Sequence, residues 1–185
     1  MKRRPALPVS LYVADRSVIV VGDGPGAEER AVRLTAAGAR VERIACADYL
    51  PDRLGGAFAV FAQADPQLNA RVVSDGRAAG CLVYAHDLPD LSDMAMPALA
   101  RRGPITIAIS TDAAAPALAR RLRQLCQSLL DSGGEALDAL VAELERQRAA
   151  LPSGARSGLY RIASRLGLCG RLEVADEPAG DPAEL

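Results

Sequence analysis

Ser17-Val18-Ile19-Val20-Val21-Gly22-Asp23-Gly24-Pro25-Gly26-Ala27-Glu28-Glu29-Arg30-Ala31 is the stretch on which the reading of the fold turns. Residues 17–21 are a nearly continuous β-branched run with no polar alternation. A strand of that kind suits a parallel sheet covered on both faces. A glycine-rich turn follows at once. Ala27 to Ala37 then reads as a helix, with Ala31, Leu34 and Ala37 at helical spacing and Gly38 as its stop. Gly22-x-Gly24-x-x-Ala27 therefore sits between a buried strand and a helix, the context in which a glycine fingerprint signals a dinucleotide. The first glycine permits the tight turn and the second lets a pyrophosphate approach the backbone. Ala27 keeps helix and strand close. The helix N-terminus offers unsatisfied N–H groups to the phosphates, and Pro25 fits its first turn. The alternative is a turn of purely structural use. A ribose-binding acid is expected roughly 20 residues on, and Glu42 or Asp48 are the candidates.

Working outward, residues 39–45 read as a second strand of the same sheet, completing a βαβ unit, and residues 9–13 read as a short β-prone run before it. The stretch 47–57 is turn-rich. Residues 57–62 are another apolar strand, Pro66 to Ala79 a helix capped by Asp65, and 81–85 a further buried strand broken by His86-Asp87-Leu88-Pro89. Residues 94–100 and 105–110 are candidate strands of a hairpin. From Ala113 the period changes to 3.6, giving a helix with Ala117, Leu118, Leu122, Leu125 and Leu129 in an apolar stripe. A second helix spans about 135–151 and a third about 157–166, before an acidic, Pro-rich tail. The fold class is thus α/β: a Rossmann-like parallel sheet, a small strand-rich dimerisation segment and a helical C-terminal region. The expected domains are 1–112, 113–172 and a tail over 173–185. The apolar faces of the hairpin and the helices exceed what one small sheet can cover, so a twofold partner is expected.

The whole composition narrows the function. The 185 residues carry 22 basic and 23 acidic side chains, a formal charge of −1, with half of them hydrophobic. That is a folding composition without the cationic excess that phosphate backbones demand, so no nucleic acid is expected. A single His excludes a His-built metal cage, and no metal site is expected. Cys46, Cys81, Cys126 and Cys169 form no CxxC pair and read as reduced, small hydrophobes. No apolar run approaches the ~20 residues of a membrane span, and the basic start at Lys2-Arg3-Arg4 leads into no signal core. A cytoplasmic setting is expected.

The marks then fall in a familiar order. Leu7-Pro8-Val9-Ser10-Leu11 precedes the loop and helix quoted above, and Ala37-Gly38-Ala39-Arg40-Val41 follows. Next come Ala62-Gln63-Ala64-Asp65 with Asn69 and Arg71, then Ala85-His86-Asp87-Leu88-Pro89 and Met96-Pro97-Ala98. Ile107-Ala108-Ile109-Ser110-Thr111 and Pro116-Ala117-Leu118-Ala119-Arg120 close the series. Over about residues 7–130 the chain resembles the precorrin-2 dehydrogenase / sirohydrochlorin ferrochelatase domain of siroheme synthases. The resemblance implies that NAD is held by Gly22, Gly24, Pro25, Gly26 and Ala27, with Cys46, Ala47, Ala64 and Asp65. It implies that precorrin-2 loses hydride to NAD and becomes sirohydrochlorin, into which some members insert ferrous iron. It implies an intertwined homodimer, a catalytic carboxylate at Asp87, and tetrapyrrole contacts at Ser110, Thr111 and Arg120. Arg101, Arg102, Arg121 and Arg123 are further cations for an acidic substrate, or a solvated face. If residues 81–87 stay extended, His86 points away from Asp87.

The sequence also departs from that family. The stretch between Tyr49 and Ala57 lacks a strand, Tyr84 stands where an Asn is usual, and Ser110 to Pro116 replaces a Gly-rich turn. These departures keep open a second reading, a non-catalytic relative that binds a dinucleotide or a tetrapyrrole.

Overall fold

The structure is a computed structural model and describes residues 6–112 and 114–151. The helix expected over about 157–166 and the tail from 173 lie outside the described residues. The chain divides into two compact units between Met96 and Pro97.

The first unit is a parallel sheet of β1 (Ser17–Val21), β2 (Arg40–Ile44), β3 (Ala59–Ala62) and β4 (Leu82–Ala85), in the order β2-β1-β3-β4. Helix α1 (Pro25–Ala36) connects β1 to β2, and α2 (Pro66–Ala78) connects β3 to β4. Strand β1 is central because it is apolar on both faces. Val18 and Val20 join the cluster with Ala27, Ala31 and Leu34 of α1. Ile19 and Val21 join the opposite cluster with Val72 and Val73 of α2. Successive side chains point to opposite faces of a strand, so an unbroken apolar run is what two covering layers require. Edge strand β2 carries Arg40, Glu42 and Arg43 exposed and buries only Ile44.

Between β2 and β3 the chain makes two short 3-10 turns, Cys46–Asp48 and Pro51–Leu54. Leu54 is fully buried against the α2 face of the sheet. A one-turn plug thus occupies the place where the resembled family has a strand.

One expected strand is absent. Residues 6–13 are irregular, with Leu7, Val9 and Tyr12 well exposed and only Val13 buried. These residues pair with no strand of the sheet, whose edges are β2 and β4. Asp15, with a left-handed φ of 58°, turns the chain into β1 instead.

The second unit begins with β5 (Ala98–Arg102) and β6 (Ile105–Ile109), an antiparallel hairpin closed by Gly103-Pro104. Its first strand starts four residues later than the expected 94–100. Gly103 has φ 52°, which a two-residue hairpin loop demands of a residue without a side chain. Helices α3 (Pro116–Ser132) and α4 (Gly134–Ala150) follow. Ala100 is fully buried with Leu130 of α3 and Leu137 of α4. Gln127 of α3 donates to the Arg101 carbonyl and accepts from its N–H, both at 3.0 Å. Arg102 makes a fork to Asp138 at 2.9 and 2.7 Å. The hairpin therefore packs with the helices, so the boundary expected at 112 falls at 96/97 instead.

Helix α2 lies close on the sheet because of Gly76. A Cβ there would stand 2.8 Å from Val60 Cγ1 and 2.9 Å from Val83 Cγ2. Gly76→Ala is expected to cost about 1–3 kcal/mol by overpacking, read as a lowered urea midpoint. An unchanged midpoint would contradict this close contact.

Candidate functional site

In an open parallel sheet, ligands bind at the carboxyl ends of the strands. Here four loops meet there: Gly22–Gly24 after β1, Ala45–Asp48 after β2, Gln63–Asp65 after β3 and His86–Pro89 after β4. The ladder runs one residue past the strands. Gly22 N–H donates to the Ile44 carbonyl at 3.0 Å, Gln63 N–H to Val21 at 2.8 Å and His86 N–H to Ala62 at 2.9 Å.

The fold asks different things of the marked positions of the glycine turn. Gly22 has φ 151°, and a Cβ on it would lie 2.5 Å from the Gln63 carbonyl oxygen. Only glycine fits. Ala27, the third position of the fingerprint, is buried and sits 3.1 Å from that same imagined Cβ. Gly24 is different: a Cβ there meets nothing within 4 Å. The fold itself does not require glycine at this position, and the space left is what a phosphate approaching the backbone would use. Gly24 is also the N-cap of α1, with no side-chain cap and Pro25 in the first turn. Pro25 has no N–H and Ala27 N–H donates to the Gly24 carbonyl at 3.0 Å, so the amides of Gly24 and Gly26 are the donors that suit a phosphate. These residues fit a dinucleotide.

Of the other residues named for the cofactor, Cys46 and Ala47 open the turn after β2, and Ala64 and Asp65 close the loop after β3. Asp65 is engaged as the N-cap of α2, accepting from Gln67 N–H at 2.9 Å and Leu68 N–H at 3.0 Å. Glu42 lies in the middle of β2 and pairs with Arg53, away from the carboxyl end. Asp48 is exposed in the turn Cys46–Asp48.

Asn69 carries the joint between the β3 and β4 loops. Its side chain is buried, accepts from Ala64 N–H at 2.9 Å, and donates to the carbonyls of Ala64 at 3.0 Å and His86 at 3.2 Å. The loop after β4 is folded back on its own strand. Ser92 Oγ accepts from Ala85 N–H at 2.9 Å, and Asp93 accepts from Val83 N–H at 3.2 Å. Ser92 and Asp93 thereby cover the free edge of β4. They were not legible in the sequence, because an Asp-Leu-Ser-Asp run reads as ordinary loop.

Asp87 stands on this loop with φ 57°, a left-handed conformation uncommon outside glycine, and its side chain is 85% exposed. Such backbone geometry in a non-glycine residue gathers at functional sites. His86 does not point away from it: His86 Nε2 lies 3.6 Å from Asp87 Oδ2. Strand β4 ends at Ala85, so the alternation that would separate the two side chains has already stopped. Tyr84, the departure two residues before His86, faces Phe61 with ring centroids 5.7 Å apart, and the Arg30 guanidinium lies 5.1 Å over its ring.

Ser110, Thr111 and Arg120 belong to the second unit, at the junction of β6 and α3. Ser110 Oγ accepts from Asp112 N–H at 3.2 Å, and Thr111 Oγ1 from Ala115 N–H at 3.3 Å. Asp112 also has a left-handed φ, 49°. Arg120 lies one turn into α3. Arg102, one of the further cations, is committed to Asp138, while Arg101 contributes its backbone to Gln127.

Comparison with known proteins bears on this site. A family model described as "Putative NAD(P)-binding" matches residues 9–98. The siroheme synthase of Methylococcus capsulatus is 33% identical over 197 residues, which takes in 92% of this chain and 42% of that protein. The siroheme synthase of Gluconacetobacter diazotrophicus is 34% identical over 166 residues, 77% of this chain and 35% of that protein. The chain thus spans less than half the length of these curated relatives. Among solved structures, one titled "SirC, precorrin-2 dehydrogenase" superposes with a TM-score of 0.66 over 88% of this chain and 90% of that one, at 19% identity. That likeness shows the fold.

Asn69→Ala strands the Ala64 N–H in a part-buried position, and leaving such a group unsatisfied costs about 1–3 kcal/mol. The expected result is a corresponding fall in unfolding free energy with faster amide exchange in the loops after β3 and β4. Equal loss of protection across all strands would argue against a local joint.

Proposed function

The chain belongs to the family of precorrin-2 dehydrogenase / sirohydrochlorin ferrochelatase domains found in siroheme synthases, and we propose that it oxidises precorrin-2 to sirohydrochlorin with NAD. The observation that carries this reading is that both sets of residues stand at the carboxyl edge of one sheet. The phosphate-suited turn Gly22–Ala27 and the exposed, left-handed Asp87 stand on loops of one four-stranded sheet.

NAD supplies the hydride acceptor. The chain's residues do the rest. The backbone amides of Gly24 and Gly26 bind the pyrophosphate at the start of α1, and Ala64 and Asp65 border it. Asp87 accepts the proton that the tetrapyrrole gives up as hydride leaves, then passes it to solvent, so that precorrin-2 and NAD+ yield sirohydrochlorin, NADH and a proton. An exposed carboxylate at the end of a strand can do this, since it meets both the substrate and the water that carries the proton away. His86, 3.6 Å away, is placed to assist that proton's exit. Ferrous iron enters the same reading as a second substrate, taken by the tetrapyrrole's own nitrogens, with Asp87 receiving the displaced pyrrole protons. Ser110, Thr111 and Arg120 are assigned to the substrate's carboxylates.

The reading includes a homodimer. On α3, Leu118, Leu125 and Leu129 are 53%, 41% and 48% exposed, an apolar face suited to a second copy. It also includes a cytoplasmic setting, which the free thiols Cys46, Cys81 and Cys126 suit. No helix among the described residues is long and apolar enough to cross a membrane.

The reaction is tested by mixing the purified protein with precorrin-2 and NAD and following NADH and sirohydrochlorin by absorbance. Asp87→Asn is expected to lower turnover by about 10²–10⁴-fold, the range of general acid–base catalysis, with NAD affinity unchanged. Unaltered turnover would remove Asp87 from the chemistry. NAD binding without NADH formation by the unsubstituted chain would favour the non-catalytic relative, for which the substituted turn Ser110–Pro116 is the specific observation. Sedimentation at micromolar concentration is expected to give a dimer, and Leu125→Glu to give monomers.

A further inference from the structure

The geometry points to Asp23 as the residue that makes this site select NAD over its 2′-phosphorylated counterpart. The inference rests on the proposed dinucleotide function and deepens it. In βαβ dinucleotide sites the acid that meets the adenosine ribose sits at the end of β2, and a neighbouring Arg takes its place when a 2′-phosphate must be held. In this chain the end of β2 runs Ile44-Ala45-Cys46-Ala47 and has no acid in it. Glu42 is turned into an ion pair with Arg53 in mid-strand.

The carboxylate is supplied from the other side. Asp23 lies between the two glycines of the turn after β1, and its carboxylate accepts the Cys46 N–H, at 3.1 Å to one oxygen and 3.3 Å to the other. With Gly22 N–H bonded to the Ile44 carbonyl at 3.0 Å, that contact carries the Asp23 side chain across to the carboxyl end of β2. The bond from Cys46 and the charge of Arg43 hold the Asp23 carboxyl below its ordinary value, so it is anionic throughout the neutral range. It remains exposed. A carboxylate has about four lone-pair positions, and the Cys46 contact leaves acceptor capacity for two vicinal hydroxyls. A phosphate on the 2′ oxygen would instead meet a fixed negative charge. Discrimination of this kind combines an attraction to one ligand with a repulsion of the other.

The full chain is titrated calorimetrically with NAD and NADP, and with ADP-ribose and its 2′-phosphate. The expected preference for the unphosphorylated member of each pair is at least about tenfold, since like charges brought together cost that much or more. Asp23→Asn, which keeps the shape and removes the charge, is expected to narrow the ratio at least tenfold by raising affinity for the phosphorylated ligands. The preference of the unsubstituted chain is also expected to shrink as salt is raised, because screening weakens the repulsion. That second measurement stands if the variant fails to fold. A ratio near one in the unsubstituted chain, a preference for NADP, or an unchanged ratio in Asp23→Asn overturns the assignment while leaving the dinucleotide site intact. Absence of binding by every ligand overturns both the assignment and the function on which it rests.

Discussion

The approach of the loop after β1 to the loop after β3 sets the geometry of everything at the functional edge. Gly22 faces the Gln63 carbonyl at a distance that leaves no room for a Cβ. That contact is possible only because β1 and β3 are neighbours in register, Val21 opposite Ala62. It brings α1 down onto the sheet through Ala27. The same closeness allows Gly22 to bond to Ile44 on its other side. One glycine thus ties three adjacent loops into a single rim.

The rim has two kinds of support. On the α2 side it is polar and buried: Asn69 bonds to the loops after β3 and β4, and Asp65 caps the helix beside it. Buried polar groups of this kind are worth keeping only when satisfied, and here one amide meets a donor and two acceptors in the loops it joins. On the β2 side the support is ionic and exposed, through Asp23 and Cys46. The edge of β4 is closed by Ser92 and Asp93, which hold the loop bearing Asp87 in a left-handed turn. The catalytic assignment and the cofactor assignment therefore depend on separate local devices built on a common sheet.

The second unit follows a different logic. Its two-stranded hairpin has too little sheet to bury a face by itself. Helix α3 covers one side of it, with Gln127 satisfying the backbone of Arg101 where, among the described residues, no third strand pairs. The same economy leaves Leu118, Leu125 and Leu129 of α3 exposed.

Periodicity and turn chemistry alone determined that β1 is buried on both faces, that a dinucleotide-type turn follows it, that Asp65 caps α2, and that the chain changes from strands to helices after residue 112. These are local properties: each depends on which side chains lie within a turn or a strand of one another. Only the tertiary structure decided that residues 9–13 find no ladder partner, that the hairpin belongs with α3, and that His86 faces Asp87 after β4 has ended. It also placed Glu42 in a mid-strand ion pair with Arg53 and brought the Asp23 carboxylate to the backbone that follows β2. Sequence distance measures position along the chain, whereas a ribose or a phosphate meets whatever side chains neighbouring strands bring to the same edge.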